Sequence, residues 1–78
     1  MLTPKQTLDQ YYLEARCDLL EVAALLDRYD EAVKRSADES ESDPRLDALR
    51  SAMTTLAQKD HPEANRTSQL LEQFSQVN

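Results

Sequence analysis

The sequence predicts an all-α protein, and three observations predict it. There is no glycine among the 78 residues, which removes the residue that tight β-hairpin turns most often require. The chain is well supplied with Ala, Leu, Glu, Gln, Arg and Lys, which lose least on entering a helix, and strand formers are sparse. From Leu8 to Val33, apolar residues recur at Leu8, Tyr12, Ala15, Leu19, Val22, Leu26, Tyr29 and Val33. Gaps alternating four and three without a slip are the spacing of one long helix with a continuous seam.

The first element starts at Thr3-Pro4-Lys5-Gln6. Thr3 can cap, proline suits the first helical position, and Gln6 completes a capping box. Nothing then breaks the helix until about residue 36, and Lys34 and Arg35 favour the negative end of its macrodipole. Asp30 with Lys34 and Glu31 with Arg35 are spaced for i,i+4 ion pairs. Residues 37–43 are acidic, Ser-rich and almost free of apolar side chains, and read as a solvated loop.

Ser42 or Asp43 caps a second helix, about 44–59, with Pro44 in its first turn and Leu46, Leu49, Met53 and Leu56 as its stripe. Pro62 would clash with the carbonyl four residues back in a continuous helix, so this arm breaks or kinks near His61. Asp60 and Glu63 are spaced as an acidic relative of the capping box. A third helix, about 62–76, carries Thr67, Leu70, Leu71, Phe74 and Val77. The expected architecture is one domain over residues 1–78, an antiparallel hairpin of a long N-terminal helix and a broken second arm.

The first helix reads as two-sided. With Leu8, Ala15, Val22 and Tyr29 at heptad d and Tyr12, Leu19, Leu26 and Val33 at a, further apolar residues fall outside the seam. Tyr11, Leu25 and Ala32 take g, Leu13 and Leu20 take b, and Ala23 and Ala24 take e and f. One side stays polar, carried by Glu14, Asp18 and Glu21. An ordinary surface helix needs an apolar stripe of about 100°, and this one is wider. A partner arm covers one side, which leaves a second face built on Tyr11, Leu13, Cys17, Leu20, Ala24 and Leu25 for an interface. Two hairpins packed into a helical bundle as a homodimer would bury it. In the alternative, a monomeric three-helix bundle, the segment after Pro62 wraps round and covers both sides.

Charge and composition narrow the function classes. Fifteen acids against nine bases give −6, which disfavours nucleic acid and is compatible with a basic protein partner. One cysteine forbids an internal disulfide framework. No 18-residue apolar run occurs and the first residues lack a signal-peptide core, so a cytoplasmic protein off the membrane is expected.

Three patterns hint at chemistry. Glu14, Asp18 and Glu21 form a row of carboxylates, but the Glu-x-x-His pair of bundle metal sites is missing, since Gln58 stands three before His61. No metal or cofactor is therefore expected. Cys17 and His61 are a lone nucleophile and a lone base with no glycine-lined oxyanion loop, which argues against hydrolase chemistry. Asn65-Arg66-Thr67 matches the glycosylation pattern and reads as a chance match. The expected function is a small non-enzymatic protein that self-associates as an interaction or assembly module. The alternative is a small binding protein or minimal enzyme with a polar pocket between helices near Tyr12, Arg16 and His61.

Overall fold

A computed structural model describes residues 1–36, 43–60 and 63–76. The described residues form three α-helices and no strand: α1, Pro4–Arg35; α2, Pro44–Ala57; and α3, Arg66–Ser75. The chain divides into two units, Met1–Glu39 and Ser40–Asn78, so that α1 belongs to one and the α2–α3 pair to the other. Among the described residues no helix is long and apolar enough to cross a membrane.

α1 begins as its capping box dictates. The Gln6 backbone N–H donates to Thr3 Oγ1 at 3.1 Å, and the Thr3 N–H donates to Gln6 Oε1 at 2.9 Å. Two otherwise orphaned donors are thus satisfied, with Pro4 supplying a turn that needs no N–H. Thirty-two residues later the helix closes at Ser36, whose N–H bonds to the carbonyls of Ala32 and Val33. At about 1.5 Å per residue α1 is about 48 Å long. None of its residues is buried.

The ion pairs along α1 differ from expectation. Lys5 pairs with Asp9 at 3.0 Å, whereas no Asp30–Lys34 or Glu31–Arg35 bridge forms among the described residues. At fully solvated positions such a bond gains a few tenths of a kcal/mol and loses side-chain entropy, so spacing alone does not decide which pairs close.

α2 is capped by Asp43, whose Oδ1 accepts from the Arg45 N–H at 2.9 Å. The helix stops at Ala57, short of the expected residue 59, with Gln58 as its C-cap. α3 starts at Arg66 rather than near residue 62. Asn65 takes the N-cap position, and its N–H bonds to the Glu63 carbonyl at 2.9 Å, so the Asp60–Glu63 spacing does not open a helix. Arg66 also donates through Nη2 to the Gln58 carbonyl at 2.8 Å. One side chain thereby satisfies a carbonyl orphaned at the end of α2 while holding the first residue of α3 beside it. His61, Pro62, Val77 and the acidic stretch 37–42 lie outside the described residues.

α2 and α3 pack on each other. Ala52, 5% exposed, is the buried residue of this pair, and Leu46, Leu49, Met53, Leu70 and Phe74 are half-buried. Gln73 Nε2 donates to Thr55 Oγ1 at 3.0 Å across the pair. A small buried residue on α2 and a polar tie between the helices accompany the meeting of two short, polar helices.

Candidate functional site

The surface that stands out chemically is on α1. Leu13 is 70% exposed, Leu19 65% and Leu20 56%, and Leu8, Tyr11, Tyr12, Leu25 and Val33 are exposed too. Both the a/d seam and the flank beside it therefore present large apolar side chains. Of the residues assigned to an interface by sequence, Tyr11, Leu13, Leu20 and Leu25 are exposed, Cys17 is an exposed free thiol, and Ala24 is half-buried. They sit on one helix because nothing between Thr3 and Ser36 interrupts it; Leu13, Cys17, Leu20 and Ala24 fall in two adjoining columns, and Tyr11 and Leu25 fall in a column on the other side of the seam.

Two shallow hollows mark this surface. Tyr12, Ala15, Arg16, Leu19 and Leu20 line an almost wholly apolar one. Ala15 is the small residue of this lining, with Tyr12 three positions before it and Leu19 four after. Leu20, Glu21, Ala24 and Arg28 line a more polar second. In each a small residue is framed by large ones three and four positions away, a pattern already visible in the sequence. Ala15 and Leu19 belong to the first hollow although the sequence reading assigned them only to the seam.

Tyr12 and Arg16, proposed from sequence as pocket residues, do share this hollow, while His61 lies outside the described residues. The carboxylate row Glu14, Asp18 and Glu21 is exposed, and among the described residues no group of three or more His, Cys, Asp or Glu is placed to hold a metal ion.

Between α2 and α3 runs a polar groove that includes Ser51, Thr55, Gln58, Gln69 and Gln73. Gln73 Oε1, on the lining of this groove, and Arg66 Nε, at the start of α3, are each buried without a hydrogen-bond partner among the described residues. The strongest local electrostatic feature lies at the start of α2. Arg45 donates to Asp43 through Nε at 3.1 Å and Nη2 at 2.7 Å, a two-pronged bond that lowers the Asp43 carboxyl to about 2, helped by the Arg45 backbone N–H. The same contact raises the Arg45 guanidinium.

No protein-family model matches this chain, and neither a curated protein nor a solved structure is significantly similar to it. What the helices and their surfaces define is an all-helical protein with an exposed apolar belt on its longest element.

Proposed function

We propose that the chain is a non-enzymatic helical protein of the cytoplasm that self-associates as a homodimer through α1 and serves as a protein–protein interaction or assembly module. One observation carries this: a 32-residue helix with an unbroken heptad seam and a broad apolar flank has no buried residue. Eight large apolar side chains of α1 are exposed. At about 100–200 Å² for each such side chain, their exposed area is on the order of 800 Å² per chain, one partner's share of a standard interface. Scattered exposed leucines are ordinary on a protein surface, whereas a contiguous belt of this size is an interaction surface. In the full reading two chains form a helical bundle through α1. The net charge of −6 leaves the assembled surface acidic, which suits a basic protein partner and not nucleic acid.

The test is light scattering coupled to size-exclusion chromatography across micromolar concentrations, with Leu20→Asp as the variant. The wild-type chain is expected to run as a dimer. Leu20→Asp places a charge in the belt of both copies and is expected to weaken association by about 100-fold or more. Helical circular dichroism should change little, since the capping of α1 is local. A wild-type monomer, or a Leu20→Asp chain that stays dimeric, overturns the proposal.

A ligand-binding reading draws on Tyr12 and Arg16 sharing a hollow. The apolar lining of that hollow fits a hydrocarbon side chain better than a polar small molecule. A stable wild-type monomer is the result that would turn attention to it.

A further inference from the structure

We propose that two copies of α1 pair antiparallel, Leu26 of each seated in the hollow formed by Tyr12, Ala15, Arg16 and Leu19 of the other; this rests on the self-association proposed above. Those four, of the five residues that line the hollow with Leu20, stand at i, i+3, i+4 and i+7, the arrangement of a socket that receives one side chain from a facing helix. Orientation decides which side chain that is. In a parallel, in-register pair the residue level with the socket is Ala15 of the other copy. A methyl then faces a methyl, and the hollow is left unfilled, with loss of packing on every wall.

Reversal changes the match. The seam reads the same in both directions, so aligning Leu8 of one copy with Val33 of the other sets Tyr12 across from Tyr29, Ala15 across from Leu26, and Leu19 across from Val22. Each alanine then meets a leucine. Leu26 is half-buried and Leu25 beside it exposed.

One charge pair favours the same orientation. Antiparallel pairing brings Arg16, which flanks the seam, within two residues of the level of Asp27 in the other copy, and by symmetry the pair occurs twice. Neither side chain has an ion-pair partner among the described residues. Parallel pairing would instead set Arg16 level with its own copy, and the two macrodipoles side by side in the same sense.

Two measurements test the orientation. Ala15→Leu fills the socket, so an antiparallel dimer is expected to dissociate at least tenfold more readily; in a parallel dimer the same change adds a core leucine and tightens association. Spin labels at Gln10→Cys in a Cys17→Ser chain give the second readout. Antiparallel pairing sets them 21 residues apart along the axis, about 31 Å, whereas parallel pairing holds them within about 20 Å. The longer distance together with a weakened Ala15→Leu dimer supports the proposal. A short distance, or an Ala15→Leu dimer as tight as wild type or tighter, overturns the orientation and leaves self-association standing. A monomeric wild-type chain overturns both.

Discussion

The unit built on α1 and the unit built on α2 and α3 reach helical structure by opposite routes. α1 is long, closed at its first turn by a reciprocal cap, and its 32 residues include none that is buried. Its helicity is a local property of length, capping and residue type. α2 and α3 have 14 and 10 residues, at or below the length at which an isolated helix holds in water. They are helical because they meet, around Ala52 and through the Gln73–Thr55 and Arg66–Gln58 bonds. The difference teaches how the two surfaces arise. The long, locally capped helix exposes eight large apolar side chains, whereas the two-helix unit exposes Leu56 and Leu71 beside a groove of mixed polarity.

The largest effect that would break this contrast is expected at Ala52. Ala52→Asp places a carboxylate at the buried position of the α2–α3 pair, at a cost of several kcal/mol. Hydrogen exchange should show residues 44–57 and 66–75 losing protection while the centre of α1 keeps its own. Loss of protection in α1 as well would show that its helix depends on the second unit. A middle-sized effect is expected at Thr3. Thr3→Ala removes one half of the capping box and should cost α1 about 1 kcal/mol, seen as faster exchange of the Gln6 and Thr7 amides. Unchanged exchange there would mean that the cap does not set where α1 begins.

The smallest effect sharpens the description of α2. The Asp43 carboxyl titrates at about 2 in the folded chain against an ordinary 3.8. Its contribution is therefore whole above about pH 4 and is lost as pH falls through about 2. Asp43→Asn keeps a cap acceptor and gives up the charge. The variant should show a shallower loss of α2 helicity across that acid window than wild type. Identical acid curves for the two chains would remove the Asp43–Arg45 pair from any account of α2.

Much of the candidate surface was legible because helical periodicity is a one-dimensional signal. Tyr11, Leu13, Leu20 and Leu25 lie off the seam by counting alone, and they are exposed on α1. The hollow at Ala15 was less legible, because a socket is a property of four side chains at once and not of any one position. The pocket expected from Tyr12, Arg16 and His61 drew on residues far apart in the chain. Such a convergence depends on how helices are placed, about which periodicity carries no information.

By itself the sequence determined the helical class, the unbroken run of α1, its capping box and a cap for α2 at Ser42 or Asp43, since each depends on residues within one or two turns. Tertiary structure alone decided that α3 begins at Arg66, that Ala52 is buried, and that Thr55 and Gln73 bond across α2 and α3. Those outcomes balance weak local preferences against one another, and the balance is settled by which backbone groups and side chains of another helix come within reach.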